Sequence, residues 1–154
     1  MGLRNVAMLD VVNIVRVVET LPHGFDVMCD EAAAEGVRNM ALLAAQWGSG
    51  GQRFDDPGAL FAVVVEGALA GVGGVSVEAG LAEPTMRMRR LYVRPAFRRT
   101  GLATRLAGAM MQQGFQAAPL LTVNAGASEA AAPFWAAMGF APVDWPGVTH
   151  ALRL

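Results

Sequence analysis

One passage limits the folds open to this chain more than any other: TMRMRRLYV, then RPAFRRTG, then LATRLAGAMMQQGF, residues 85–115. Met86 and Met88 alternate with Arg87 and Arg89, the period of a strand with one apolar and one charged face. Pro95 stops that strand, because proline cannot donate to a ladder. Leu102, Leu106 and Met110 then recur at i, i+4 and i+8, the stripe of an amphipathic helix that begins at Gly101. Arg94, Arg98, Arg99 and Arg105 crowd around that glycine. A helix N-terminus presents unpaired N–H groups and the positive end of a dipole, so the loop suits a phosphate or pyrophosphate. Gly101 lets the backbone approach closely, and guanidiniums match phosphate oxygens bidentately. The loop is not a P-loop, since no Gly-Lys-Ser/Thr follows. It is not a dinucleotide fingerprint either, with only one of the three glycines that fingerprint needs.

Around this passage the chain reads β-αα-βββ-α-β-α-ββ. VVNIVRVVET (11–20) is β-branched and bounded by Pro22, a first strand. Residues 25–48 are helical by composition, broken at Gly36 and ended by Gly48. Residues 59–80 split into two strands at Glu66-Gly67-Ala68, a hairpin signal. LLTVN (120–124) is a short buried strand, 128–140 a short helix closed by Gly139, and the last residues a hairpin about Pro146-Gly147. Three hairpin-linked strands followed by a strand-helix-strand crossover predict a mixed, mostly antiparallel α/β (α+β) sheet of about seven strands, with helices on both faces. No linker or repeat interrupts it, so residues 1–154 read as a single domain.

Composition narrows the function classes. Hydrophobic residues make up 54% and charged residues 16%, a packed globular chain rather than a disordered one. The net charge of −1 argues against general nucleic-acid binding. All 12 cationic residues are arginine, which removes any lysine-based chemistry. The single Cys29 excludes an internal disulfide and a cysteine metal cluster, and reads as packing. Asp55-Asp56 before Pro57-Gly58 is a turn rather than a metal pair, and no metal is expected. The glycines of AGVGGVSV mark a bulged or closely packed strand, and the scattered methionines fill the core. The start of the chain lacks a signal-peptide core, and no apolar run is long enough for a bilayer. The expectation is a cytoplasmic protein with no membrane partner.

Arg98-Arg99-Thr100-Gly101-Leu102-Ala103 resembles the Arg/Gln-x-x-Gly-x-Gly/Ala signature of the GNAT superfamily of N-acetyltransferases. LYVRPAF before it resembles that family's fourth strand and turn, and AAPFWAAMGF (131–140) its Ala-x-x-Phe-Tyr-x-x-x-Gly-Phe helix. The element order is similar from the second strand to the last. The resemblance implies an acetyl-CoA site between two splayed parallel strands, here 86–93 and 120–124. It implies that pantetheine pairs with main-chain groups near Leu91, Tyr92 and Val93. The pyrophosphate would lie on the N–H groups of Arg98, Arg99, Thr100, Gly101, Leu102 and Ala103, with Asn124, Ser128, Phe134 and Trp135 flanking the arm. The activity implied is direct acetyl transfer to the amine of a small acceptor, with proximity and an N–H donor near Val93 as the enzyme's contribution.

Two positions depart from the family pattern. Trp135 stands where many members carry the Tyr that protonates the departing thiolate, and an indole N–H cannot do so at neutral pH. Trp135 therefore reads as packing. Arg87 stands where many members carry a Glu general base. Glu78, Glu83 and His150 are the alternatives, and His150 has the suitable intrinsic pKa; a water chain would serve as well. Arg87 and Arg89 share a strand face toward the implied acceptor cleft, which points to an acceptor bearing a carboxylate. The competing reading is a non-catalytic acyl-CoA-binding regulatory module. A histone-type enzyme is disfavoured by the absence of an acidic run. The residues leave a homodimer open.

Overall fold

A computed structural model gives the structure of residues 11–154. In chain order the elements are β1 (Val12–Val17), α1 (Phe25–Ala34), α2 (Asn39–Ser49), β2 (Ala59–Val65), β3 (Ala68–Val77), β4 (Thr85–Val93), a 3-10 turn (Pro95–Phe97), α3 (Leu102–Ala117), β5 (Leu120–Val123), α4 (Ala131–Ala137), β6 (Ala141–Trp145) and β7 (Val148–Arg153). The strands form one sheet in the order β1-β2-β3-β4-β5-β7-β6. Its central pair, β4 with β5, is parallel, and the remaining neighbours are antiparallel. This is the mixed, mostly antiparallel seven-stranded sheet that the periodicity predicts.

Strand alternation divides the core into two layers. Leu60, Ala62, Val72 and Tyr92 face α1 and α2, where they meet Phe25, Met28, Met40, Leu43 and Trp47. Val75, Met86, Met88, Leu121 and Val123 face α3 and α4, against Ala107, Met110 and Trp135. Met28, Met40, Met86, Met88 and Met110 are all at most 2% exposed, so these five fill the core, while Met111 and Met138 are half-buried and Met1 and Met8 lie outside the described residues. Half-buried Cys29 packs against the α1–α2 layer. Its thiol pKa is raised, first by burial and then by Asp30 and Asp26, as suits packing rather than nucleophilic attack.

β3 is glycine-rich because both its faces are crowded. A Cβ on Gly73 would lie 2.6 Å from the Met110 sulfur, and one on Gly74 would lie 2.5 Å from the Phe54 ring. Boundaries shift slightly from the sequence expectation. α2 runs through Gly48 to Ser49 and ends at Gly50, which takes the left-handed conformation (φ 77°) that an α-helix C-terminus favours. β1 is shorter than residues 11–20, and α4 starts at Ala131 because Ser128–Ala130 form its lead-in turn.

Candidate active site

β4 and β5 pair through only four rungs, from Thr85 opposite Leu120 to Met88 opposite Val123. β4 continues to Val93 alongside β3, so from Arg89 onward its β5-side edge has no strand partner. A bulge marks the parting: Arg90 and Leu91 together oppose Gly73, and Arg90 adopts φ 61°. Bulges bend a strand and re-aim its side chains. The gap is a cleft of about 510 Å³, walled on one side by residues 88–93 of β4 and on the other by Val123, Asn124, Ser128, Phe134 and Trp135. A second pocket of about 220 Å³ lies around Arg99, Gly101 and Leu102 at the start of α3. Both pockets share Val93, Arg98, Ala103 and Phe134.

The α3 N-terminus is built to receive an anion. Its N-cap is Gly101 in the left-handed region (φ 80°), with no side chain capping the first N–H groups. Nothing lies within 4 Å of where a Gly101 Cβ would sit. Thr100 lines neither pocket; its hydroxyl donates to the Phe97 carbonyl at 2.6 Å and shapes the loop.

The four arginines of the loop divide into two kinds. Arg94 donates to both oxygens of Glu31 at 2.8 and 3.0 Å and to the Leu69 carbonyl at 2.8 Å. Arg98 donates to both oxygens of Glu35 at 2.7 and 2.6 Å and to the Val93 carbonyl at 2.9 Å, and stacks over Tyr92. These two guanidiniums tie α1 to the loop. Arg94 and Arg98 already have carboxylate partners, so the charge that the sequence offers a phosphate is left mainly to Arg99 and Arg105, which form no ion pair among the described residues.

The titratable residues lining the main cleft are Glu35, Arg89, Arg90, Tyr92 and Arg98. Hydrogen bonds from Arg98 and then from Tyr92 pull the Glu35 pKa down to about 2. Burial and the bond to Glu35 push the Tyr92 phenol well above its ordinary value. Neither suits proton transfer at neutral pH.

The candidate bases fall outside. His150 pairs with Val123 and so faces the α3–α4 layer; it is 8% exposed, with Nδ1 2.8 Å from the Thr149 hydroxyl. It is not among the residues that line the cleft, although its register partner Val123 is. Glu83 is bound by Arg153 at 2.9 and 2.7 Å, and Glu78 accepts from Arg87 at 3.0 Å. Arg87 itself does not line the cleft, whereas Arg89 does. Arg90, which sequence alternation assigns to the opposite face, is brought to the Arg89 side by the bulge and reaches Gln46 of α2 at 3.1 Å. The Gly73-Gly74 pair opposite was its only signal in the sequence.

Asn124 lines the cleft with its side chain engaged, donating to the Gly147 carbonyl at 3.2 Å and accepting from the Gly126 N–H at 3.0 Å. Trp135 is 4% exposed and makes edge contacts with Phe134 and Phe140, each with ring centroids 5.1 Å apart. Its surroundings are those of a packing residue.

Residues 25–154 match the family model described as an acetyltransferase (GNAT) domain. The chain belongs to the GNAT acetyltransferase family. Solved structures agree with that membership. A protein from Exiguobacterium sp. 255-15 assigned as an acetyltransferase is 26% identical, with TM-score 0.82, covering 92% of this chain and 93% of its own. A GNAT acetyltransferase from Elizabethkingia anophelis, with acetyl-CoA bound, is 14% identical with TM-score 0.64, covering 94% and 99%. A mutant of the toxin AtaT, bound to the C-terminus of the antitoxin AtaR and to acetyl-CoA, is 16% identical with TM-score 0.70, covering 94% of both chains. No curated protein matches the chain in sequence. Among the described residues of this GNAT domain, no group of three or more His, Cys, Asp or Glu side chains could hold a metal ion, and no helix is long and apolar enough to cross a membrane.

Proposed function

We propose that this GNAT protein transfers an acetyl group from acetyl-CoA to the amine of a small, carboxylate-bearing acceptor. The observation that carries the reading is the parting of β4 from β5 at Met88 and Val123, with the uncapped α3 N-terminus at one mouth of the gap. Acetyl-CoA fits both parts. The open space beside Gly101 and the unpaired N–H groups suit a pyrophosphate, and the β4 edge beyond Met88 offers main-chain groups to the pantetheine amides.

In this reading the acceptor nitrogen attacks the thioester carbonyl, a C–N bond forms and the C–S bond breaks. The nitrogen of the tetrahedral adduct gives its proton to water, the sulfur leaves as thiolate, and the product is the N-acetyl amide. The protein contributes placement of the two reactants and an N–H near Val93 for the developing oxyanion. No dedicated acid is required, because a thiol of pKa about 8.5 is a tolerable leaving group near neutral pH.

One observation favours a second reading, an acyl-CoA-binding module without turnover: no side chain lining the cleft is a ready acid or base. Release of free thiol from acetyl-CoA across a broad amine panel separates the two. Turnover of any amine supports the transferase; tight acetyl-CoA binding with no thiol release on any amine supports the module.

A further inference from the structure

Three guanidiniums stand close together on β4, and only one of them forms an ion pair. Arg87 is balanced by the Glu78 carboxylate at 3.0 Å. Arg89 donates its Nε to the Ser76 hydroxyl at 2.7 Å, and Arg90 donates an Nη to the Gln46 amide oxygen at 3.1 Å. Those two partners are neutral. They fix the direction of each guanidinium, and only the Glu78 carboxylate, already paired with Arg87, acts on the charge of Arg89. Among the described residues neither Arg89 nor Arg90 forms an ion pair, and Arg90 Nε is buried with no hydrogen-bond partner at all. Both residues line the cleft.

Half-buried guanidinium groups without an ion pair carry a desolvation cost that their neutral partners offset only in part. Burial lowers the pKa of both arginines, and Arg87 nearby adds repulsion to each. A fold that needed only positive charge for packing would supply carboxylates, as it does for Arg87, Arg94 and Arg98. Two tethered guanidiniums without an ion pair, on residues that line a cleft, would be matched by an anion that arrives from outside. The bulge makes this possible, since residues 89 and 90 of a regular strand would point to opposite faces.

We propose that Arg89 and Arg90 together read the carboxylate of the acceptor, and that Arg87 does not contact it. The proposal rests on the acetyltransferase reading and names its substrate class: amines that carry a carboxylate, as amino acids do.

The test has two arms. In the first, acetyl-CoA is titrated against the thermal melt of wild type and of Arg87→Gln, Arg89→Gln and Arg90→Gln. In the second, a set of N-acetyl amino acids and their matching amides is titrated calorimetrically into each protein saturated with CoA. In wild type at least one acid should bind about tenfold to a hundredfold tighter than its amide, the worth of a desolvated charged hydrogen bond. That preference should collapse in Arg89→Gln or Arg90→Gln and survive in Arg87→Gln. If acetyl-CoA stabilises wild type but no acid outbinds its amide, this proposal is wrong, and acetyl transfer stands with an acceptor that needs no carboxylate. A preference that collapses only in Arg87→Gln overturns the residue assignment. Absence of any acetyl-CoA stabilisation overturns the transferase reading and this proposal with it.

Discussion

Arg98 and Gly101 belong to one hexapeptide and do unlike work. Arg98 holds Glu35, the Val93 carbonyl and the Tyr92 ring in place, whereas Gly101 leaves room in front of the α3 N-terminus. Gly101→Glu should therefore abolish acetyl-CoA binding, because a carboxylate would project into the space where phosphate approaches. The left-handed backbone adds strain of about 1–2 kcal/mol, a modest loss of stability. Arg94→Ala should show the opposite pattern, lowering stability by about 1 kcal/mol with acetyl-CoA affinity nearly intact. Calorimetry and chemical denaturation on both variants check the contrast. Trp135→Phe should keep most activity, since Trp135 contacts aromatic rings and offers no usable acid. A hundredfold fall in kcat, about 2.7 kcal/mol of barrier, in a folded variant would show that the indole does chemistry. At this scale the sequence was legible where a residue's role is local. Gly101 at a helix start could be read; His150 and Arg87 could not, because alternation gives a side chain's face but not the neighbour opposite it. Arg90 was hidden by a bulge that exists only once β3 and β4 pair.

Among the elements, α1 shows how a helix outside the arginine-rich passage holds its loop. Glu31 and Glu35 are one turn apart, so both carboxylates share a helix face, and Arg94 and Arg98 take one each. The spacing is visible in the sequence, but which arginines it meets depends on how α1 lies across the sheet. Glu35 has a folded pKa of about 2, depressed from 4.5. It therefore contributes stability that is present above pH 4.5 and lost as pH falls toward 2. Partial exposure of the pair reduces the effect to about 1–2 kcal/mol. Glu35→Gln should be less stable than wild type by that amount at pH 7, and the difference should shrink steadily in melts taken from pH 4.5 down. A gap unchanged by pH would mean that the carboxylate's charge is not what matters. The order of helices and strands was readable because periods of 2.0 and 3.6 differ clearly over ten residues. Helix ends were less so, because Gly48 and Gly50 offer the same stop signal and only the finished turn decides between them.

For the molecule as a whole, acetyl-CoA should act as a fold ligand. At a hundredfold excess over Kd it adds about 2.7 kcal/mol, which for a chain of this size raises Tm by about 5–10 °C. No shift at millimolar acetyl-CoA would remove the acyl-CoA site from consideration. The pH dependence of turnover should follow the acceptor rather than the protein. Among the described cleft residues none titrates between about pH 5 and 9. The inflection in kcat/KM should move with the amine's own pKa when two acceptors of different basicity are compared. An inflection fixed near neutrality would reveal a base on the enzyme. The whole fold was legible from element order and one loop; the gap between 86–93 and 120–124 came from the family resemblance, and the rung at which it opens came from neither, since it depends on where a parallel pair stops. That stopping point has a mechanical meaning. Residues 120–154 are joined to the rest of the sheet by four rungs of ladder, so the molecule is two leaves on a short spine. A ligand hydrogen-bonded to the bare edge of β4 and packed on α4 would grip both leaves at once, lengthening the spine as a bookbinder's thread does. Affinity for the cofactor and resistance to the leaves parting are then one quantity measured in two ways.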